Sequence, residues 1–432
     1  MEKLSIMLGL KKRQKSRWLQ DFDTYSFSPV ENYRRHRIHS SRFIYRSSKV
    51  SKTFKTKDNA FNLLFKTSLM VGIPISPVWN RSNNLFANKV VKVWCYSVLI
   101  IKTTTRILSF ANIYKMLPGY ASPVSFYLFN TFNYITTLTF IVNSRKIYLA
   151  IKNVVDLSKS INPRAYIGCK CILYEVLFLI GCDLLALYLV IIFFFYQEWN
   201  QFLMILHTPF AIDQFTYTWV VVFAIVFVHT WSYATNFVAV LLCHNSFLAA
   251  GNLLKMYSKT IRDLENSNPD PILRSIRLFQ EITVSVRNID SALSCSTFFL
   301  FGTIVGNFFA SISVMSSGHS SFQTPVSKVY GVLTLIGGIM AILVLSMSGN
   351  AVPAGLYQVR EALLQCSVRM AGGSPNVMRS FTLLSDSIRD SNLTISGWGM
   401  FTINKALMLT VGGMVITYSF LLFQLSGQPL IK

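Results

Sequence analysis

Long apolar stretches separated by shorter polar segments make up most of the chain beyond residue 90. Seven of these stretches are long enough to cross a bilayer as helices, which takes about 20 residues each. They cover residues 90–111, 123–143, 171–196, 218–243, 294–315, 328–348 and 404–424. Their apolar residues run continuously and do not alternate, which is typical of helices and not of barrel strands. The pattern therefore predicts an all-α, polytopic membrane protein with seven transmembrane helices.

The composition agrees with this class. Of 432 residues, 52% are hydrophobic and only 14% are charged, whereas a soluble protein has about 25% charged residues. The net charge is +23, which by itself is a mark of nucleic-acid-binding domains. Here the basic residues are shared among the loops between apolar stretches, so we predict no nucleic-acid partner.

The distribution of Lys and Arg predicts the orientation in the membrane. Thirty-four of the 41 lie in residues 1–89, 144–170, 244–293 and 349–403, while the alternate loops and the C-terminal tail contain only Lys115 and Lys432. Because basic loops stay in the cytosol, we expect a cytosolic N-terminus and an extracellular C-terminus. This is the inverse of the orientation of a G-protein-coupled receptor.

These patterns divide the chain into five segments. Residues 59–78 are apolar but interrupted by Lys66, Pro74 and Pro77, so they predict a helix lying on the inner leaflet and not a span. The predicted segments are a basic cytosolic tail (1–58), a membrane-surface helix (59–89), transmembrane helices 1–6 with cytosolic extensions (90–348), a cytosolic anchor segment (349–403), and the pore-lining helix 7 with a short extracellular tail (404–432).

The first span contains two charges, Lys102 and Arg106. A charge at this depth needs a partner, a watery cavity or a path for the side chain to reach the surface. Arg106 can reach the nearer surface, whereas Lys102 cannot do so as easily. Asp183, in the third span, is the natural candidate for its partner.

The last apolar stretch carries a polar stripe. Thr410, Thr417, Gln424 and Gln428 fall on one narrow helical face, with Gly413 and Leu421 beside them. Polar side chains repeated along a lipid-length helix should face another helix or water. The stripe therefore has two interpretations, a polar contact between packed helices and the wall of a pore.

The end of this stretch resembles a family signature. Thr417-Tyr418, five mostly apolar residues and then Gln424-Leu425 are similar to the Thr-Tyr, five apolar, Gln-Phe motif of arthropod gustatory receptors. That family belongs to the same superfamily as the insect odorant receptors. Two positions depart from it: Leu425 replaces the usual Phe, and Ser419 stands where the sugar-receptor branch has Glu, which argues against a sugar ligand.

The resemblance implies a chemosensory receptor in the plasma membrane of chemosensory neurons. Such a receptor is a ligand-gated, non-selective cation channel, a homo- or heterotetramer joined by a cytosolic anchor domain. Its partners are a small-molecule tastant, permeating cations and membrane lipid. The pore and gate would be formed by residues of the last helix, namely Thr410, Thr417, Leu421, Gln424 and Leu425.

A ligand pocket in this family lies in the outer half of the helix bundle. Five aromatic or amide side chains fall in the outer halves of the predicted spans: Tyr127, Trp219, Phe223, Asn307 and Tyr330. A small-molecule pocket is typically lined by aromatic side chains with a few polar groups. The same aromatic residues also suit ordinary helix packing, and the pattern leaves both interpretations open.

No motif of catalytic residues or metal ligands is present. The sequence contains no His-Glu-x-x-His and no Gly-x-Ser-x-Gly. Its seven cysteines lie in spans or in predicted cytosolic segments, without zinc-site spacing. We therefore predict no enzymatic activity, no metal and no cofactor. The alternative function is a secondary transporter of small molecules, although no internal repeat is evident.

Overall fold

The computed structural model describes residues 60–75, 85–116, 121–162, 174–178, 181, 214–264, 269–316 and 325–426. The helices of this part are α1 (Ala60–Met70), α2 (Leu85–Met116), α3 (Ala121–Ile161), α4 (Gln214–Arg262), α5 (Pro269–Ser316), α6 (Pro325–Gly349), α7 (Ala351–Met370), α8 (Pro375–Arg389) and α9 (Lys405–Ser426). Two short strands, β1 (Ser396–Gly397) and β2 (Phe401–Thr402), lie between α8 and α9. The predicted basic tail, 1–58, and most of the predicted third span lie outside the described residues.

The structure is predominantly helical, as the sequence predicts, and six of the seven predicted spans coincide with α2, α3, α4, α5, α6 and α9. Within the described residues, three helical stretches are long and apolar enough to cross a membrane: Ala234–Arg262, Pro269–Ser313 and Gly331–Met370. The apolar stretch Lys405–Leu421 of α9 is shorter. The number of spans and the sides of the two termini stay predictions.

Proline residues determine where several helices begin. Pro269, Pro325 and Pro375 are the first residues of α5, α6 and α8, a position where the missing N–H breaks no helical hydrogen bond. Pro353 lies near the start of α7. Its ring would clash with the carbonyl of Gly349, four residues earlier, in a continuous helix. This explains why α6 ends at Gly349 and a new helix starts at Ala351.

The long extensions of α4 and α5 pack with α7 and α8 into a second helical layer. Tyr257 of α4 is fully buried, and its hydroxyl lies 2.9 Å from Oγ of Ser275 while its ring stacks on Phe279 at 5.5 Å. Where α4 crosses α7, a Cβ on Gly355 would lie 2.8 Å from the carbonyl oxygen of Gly251. The two backbones therefore touch, and a side chain at either glycine would separate them.

Two arginines hold the helix ends of this layer together. The Arg360 guanidinium donates to the carbonyl oxygens of Arg389 (3.1 Å) and Ser391 (2.7 Å), at the end of α8. Arg369 donates to the carbonyl oxygen of Arg262, the last residue of α4, at 2.6 Å. The last carbonyls of a helix have no partner within the helix, and cations stabilise that end of the helix dipole.

The short helix α1 packs into the bundle. Phe61 and Leu64 are fully buried, and the ring of Phe65 lies 5.6 Å from that of Tyr148 in α3. Eleven residues of helix reach only about 16 Å, too short for a span. The helix exists where the sequence predicts one, and one side of it contacts other helices.

Candidate functional site

The last helix starts at a side-chain cap. Asn404 precedes Lys405, the first residue of α9, and its Oδ1 accepts a hydrogen bond of 3.1 Å from the backbone N–H of Leu407. An asparagine at this position satisfies one of the N–H groups that a helix start leaves without a partner. The predicted start of the last span, residue 404, thus differs by one residue from the observed start of α9 at Lys405.

A narrow seam attaches α9 to α5 and α6. Among the described residues of α9, Val411 alone is buried, and Leu407, Met408 and Val415 pack beside it. Further along, the ring of Tyr418 lies 4.1 Å from the ring of Phe309 in α5. The tyrosine of the family-like motif therefore attaches the far half of the helix to the bundle.

The predicted polar stripe is exposed in the protomer. Thr410, Thr417, Leu421 and Gln424 all have exposed side chains. The Thr410 hydroxyl donates to the carbonyl oxygen of Ala406 at 3.2 Å, and the Thr417 hydroxyl to that of Gly413 at 2.9 Å. Within the described residues, neither hydroxyl bonds to another helix, so the packing described for α9 does not use these two positions of the stripe. The side chain of Leu425 and all of Gln428 lie outside the described residues.

A β-hairpin leads into α9. Ser396 pairs with Thr402 and Gly397 with Phe401, and the N–H of Met400 closes the turn by donating to the Gly397 carbonyl at 2.9 Å. Trp398 adopts a φ of 52° and Gly399 a φ of 70°. A bulky residue at positive φ is rare and costs about 1–3 kcal/mol unless its surroundings hold it there.

Asp290 of α5 clamps this hairpin. Its Oδ1 accepts hydrogen bonds from the backbone N–H of Ser396 at 2.7 Å and from the Ser396 hydroxyl at 3.1 Å. One turn later, the carbonyl oxygen of Ser294 accepts from the N–H of Trp398 at 3.1 Å. Asp290 precedes the predicted span at 294–315. Burial raises the pKa of its carboxyl, and the two hydrogen bonds from Ser396 oppose that rise.

An aromatic cluster completes the attachment of the hairpin to α5. The Trp398 ring lies 5.5 Å from Phe298 and 6.0 Å from Phe299, and the Phe401 ring lies 5.4 Å from Phe301. Aromatic pairs at these separations add about 0.5–1.5 kcal/mol each to the free energy of burial. The surroundings thus hold Trp398 at its unusual φ, and the segment that precedes α9 is fixed to α5.

Lys102 is buried among hydroxyl groups from two other helices. Its Nζ donates to Oγ1 of Thr235 in α4 at 2.7 Å and to Oγ1 of Thr137 in α3 at 3.3 Å. An ammonium group inside a membrane bundle needs such hydrogen-bonding partners. Asp183, the partner suggested by the sequence, lies outside the described residues.

A second polar group joins the short described stretch 174–178 to α4. Oε1 of Glu175 lies 3.6 Å from Nε2 of His244, and Oε2 accepts a hydrogen bond of 3.2 Å from the amide of Asn245. Glu175 thus contacts two consecutive side chains of α4.

Of the five ligand-pocket candidates, one has a described side chain. Asn307 of α5 is half-buried and donates through Nδ2 to the carbonyl oxygen of Thr334 in α6 at 3.4 Å. It therefore contacts the neighbouring helix. The side chains of the other four candidates, Tyr127, Trp219, Phe223 and Tyr330, lie outside the described residues, so their role as pocket residues stays a prediction.

Sequence patterns do not reveal the attachments of the last helix. Asp290 and Ser396 are 106 positions apart, and the strands of the hairpin are two residues each, too short for an alternating pattern. One local signal exists, the Trp-Gly-Met tripeptide at 398–400, because glycine between larger residues is typical of a turn.

The fold has known counterparts. No family model and no curated protein matches the chain. Among solved structures, the insect olfactory receptor OR5 from Machilis hrabei is similar with a TM-score of 0.63 and 13% identity, over 85% of this chain and 100% of that one. The same receptor in complex with eugenol is similar with a TM-score of 0.60 and 15% identity, over the same shares of the two chains. The chain therefore has the fold of an insect olfactory receptor, which confirms the resemblance at the level of fold.

Proposed function

We propose that this chain is a subunit of a gustatory-type chemoreceptor, a ligand-gated, weakly selective cation channel of the plasma membrane. Four subunits surround a central pore lined by α9, with the N-terminus in the cytosol and the C-terminus outside. The fold shared with an olfactory receptor supports the chemosensory class. The motif at Thr417-Tyr418 and Gln424-Leu425 supports the gustatory branch, and chemosensory neurons are the expected site of expression.

The observation that carries this proposal is the exposed polar stripe of α9. The helix has 22 residues, about 33 Å at 1.5 Å per residue, and most of its exposed side chains are apolar, among them Leu409, Met414 and Phe420. In a membrane, the apolar faces can meet lipid or other subunits. The Gln424 amide on the stripe cannot meet lipid without loss, and within the described residues the Thr410 and Thr417 hydroxyls bond only inside α9. Water in a pore shared between subunits would hydrogen-bond to the polar side chains of the stripe.

The ion path follows from the same geometry. Gln424 and Leu425 are adjacent and so point about 100° apart on the helix. A modest rotation of α9 would exchange an amide for an apolar group at the narrowest point, and an apolar ring closes a pore by excluding water. No ring of charged residues lies on the stripe, so cations should pass with weak discrimination.

The ligand is proposed to be a small organic molecule other than a sugar. The similar structure of an olfactory receptor in complex with eugenol supports a small-molecule ligand, and Ser419 in place of Glu argues against sugars. The candidate pocket residues are Tyr127, Trp219, Phe223, Asn307 and Tyr330. No observation in the structure favours a secondary transporter over a channel.

Patch-clamp recording of cells that express the chain tests the proposal. Bitter compounds, amino acids and sugars would be applied in turn, and we expect one of the non-sugar classes to evoke a cation current. Gln424→Ala should change unitary conductance or selectivity at unchanged surface expression. Ser419→Ala is the matched control, because the Ser419 hydroxyl donates to the Val415 carbonyl of its own helix at 2.7 Å and lies off the stripe. A saturable substrate flux without unitary currents would indicate a transporter.

A further inference from the structure

An exposed serine lies in the connection between α7 and α8. Residues 371–374 join the two helices, and Ser374 is followed directly by Pro375, the first residue of α8. The side chain of Ser374 is exposed. A Cβ placed on Gly372, two residues earlier, would meet nothing within 4 Å. Within the part of the chain that the structure describes, there is therefore open space beside this turn.

Helix capping does not explain the serine. A serine immediately before a helix usually accepts, through its hydroxyl oxygen, a hydrogen bond from an N–H of the first turn. The side chain of Ser374 makes no such bond. Only its backbone takes part in the helix start, since its carbonyl oxygen accepts a hydrogen bond of 3.0 Å from the N–H of Met378. The hydroxyl is exposed and is not used to begin α8.

The backbone at Ser374 is extended, which is the form in which a protein kinase binds its acceptor residue. Its φ is −60° and its ψ is 155°. The following proline favours this conformation, because its ring clashes with a helical residue before it. In the first turn of α8, Pro375 and Asn376 are exposed and Val377 is buried. Extending these three residues would therefore release one buried side chain.

The chain contains six Ser-Pro or Thr-Pro dipeptides. Three of them lie in predicted extracellular loops, where cytosolic kinases do not reach: Ser122, Thr208 and Thr324. Two more lie on the predicted cytosolic side but outside the described residues: Ser28 and Ser76. Ser374 lies in the predicted cytosolic anchor segment, and it is the one of the six whose side chain the structure describes.

We propose that Ser374 is a phosphorylation site for a proline-directed protein kinase of the cytosol, and that the phosphate strengthens the start of α8. In the transfer, Oγ of Ser374 attacks the γ-phosphorus of MgATP. A new O–P bond forms, the bond to ADP breaks, and the hydroxyl proton passes to the catalytic aspartate of the kinase. The inference rests on the predicted cytosolic side of this segment. It goes beyond the proposed channel activity, which it does not require.

The expected effect of the phosphate follows from the start of α8. The first N–H groups of a helix have no acceptor within the helix, and in α8 they belong to Asn376 and Val377, because Pro375 has no N–H. The first turn of α8 contains no acidic residue, although negative charge is favourable at this end of the helix dipole. A phosphoserine carries a charge of about −1.5 to −2 at pH 7 and accepts hydrogen bonds through its phosphate oxygens. Phosphorylation should therefore stabilise α8.

Phosphorylation of the purified full-length protein tests the proposal. The protein in nanodiscs would be treated with MgATP and a purified mitogen-activated protein kinase, and the modified residues mapped by mass spectrometry. We expect phosphate at Ser374. Its rate should be no more than about tenfold below that of a synthetic peptide of residues 367–381, because only the first turn of α8 has to open.

Two variants test the role of the proline. Pro375→Ala should lower the rate of phosphorylation at Ser374 by about tenfold or more, because the kinase pocket for the proline is left unfilled. Ser367→Ala is the matched control, since Ser367 lies near the end of α7 and no proline follows it. It should leave the rate at Ser374 unchanged. A normal size-exclusion profile of both variants would exclude misfolding as the cause.

Thermal unfolding measures the effect of the phosphate. Ser374→Ala should leave the apparent Tm within about 1 °C of wild type, because the hydroxyl makes no capping bond. Phosphorylated wild type should unfold about 2–4 °C higher than the untreated protein. Kinase-treated Ser374→Ala should not show this gain, which separates the phosphate at Ser374 from phosphate at any other site.

Three results would overturn the proposal. Phosphorylation of the peptide without phosphate at Ser374 of the intact protein would show that the fold hides the serine. Equal rates for wild type and Pro375→Ala would exclude a proline-directed kinase. An unchanged or lower Tm after phosphorylation of Ser374 would exclude the stabilisation of α8. Because no current is measured, a channel that fails to conduct and a serine that is not phosphorylated are separate outcomes.

Discussion

The joint between α6 and α7 packs directly against Ile403, two residues before the start of α9. Gly349 is the last residue of α6, and a Cβ placed on it would lie 2.6 Å from the carbonyl oxygen of Ile403 and 3.0 Å from its Cβ. Ile403 is itself fully buried, and its N–H donates to the Ile395 carbonyl at 2.9 Å. Gly349→Ala therefore forces a methyl group against the carbonyl oxygen of Ile403. This residue cannot move freely, because its own N–H is hydrogen-bonded to Ile395.

The expected loss of stability follows from two opposing effects. Forcing an extra methyl group into a packed core costs about 1–3 kcal/mol. Replacing glycine by alanine in a helix contributes up to about 1 kcal/mol in the other direction, and less at the final residue. The net effect is a destabilisation of about 1–2 kcal/mol, with Ile403 displaced toward Lys405 at the start of α9.

Thermal unfolding of the detergent-solubilised protein measures this effect. A loss of 1 kcal/mol lowers Tm by about 2–4 °C in domains of 150–250 residues, so Gly349→Ala should lower the apparent Tm by several degrees. Gly372→Ala is the matched control, because nothing lies within 4 Å of a Cβ at that position. Its Tm should stay within about 1 °C of wild type.

A second measurement connects the joint to the gate. Since Ile403 lies two residues before α9, its displacement should alter the resting current in cells that express Gly349→Ala, at equal surface expression. If Gly349→Ala matched Gly372→Ala in both Tm and resting current, the α6–α7 joint would not be packed against the start of α9. Ile403 would then not fix the start of α9.

Two further predictions concern Asp290, which binds the hairpin, and Leu425, the proposed gate residue. Because burial raises the pKa of Asp290 above its ordinary value of 3.8, the folded protein should lose stability as the pH rises from that value through the raised pKa. Asp290→Asn removes this titration, so the Tm of wild type relative to the variant should fall as the pH rises above 3.8, and a constant difference would refute the assignment. Leu425→Phe restores the aromatic residue usual in the family motif and should lower the resting leak in whole-cell recordings. An unchanged or larger leak would count against a gate at Leu425.

Local patterns predict the helices and their positions along the chain. The apolar stretch at 404–424 and the helix Lys405–Ser426 nearly coincide, because long apolar runs and a capping Asn404 are both local signals. The turn between α7 and α8, at 371–373, follows from Gly-Gly-Ser-Pro at 372–375 in the same way. The exposed stripe on α9 is likewise visible from the seven-residue spacing of Thr410 and Thr417.

Contacts between distant parts of the chain are not visible in such patterns. Lys102 and Thr235 are 133 positions apart, and Asp290 and Ser396 are 106 apart. A buried charge signals from the sequence that partners exist, but not which residues they are. Trp398 illustrates the same limit, since its ring packs on Phe298 and Phe299, about 100 positions earlier in the chain.

The central claim is that the stripe of α9 faces water between assembled subunits. Substituted-cysteine accessibility in intact membranes tests it most directly, with Thr410→Cys and Thr417→Cys on the stripe and Val411→Cys, buried in the seam, as the control. The wild-type protein, treated with the same reagent, would show whether the native cysteines react. We expect a charged methanethiosulfonate reagent to modify both stripe positions and block the current, and to spare Val411→Cys. Stripe cysteines as unreactive as the Val411→Cys control would contradict a pore lined by this helix.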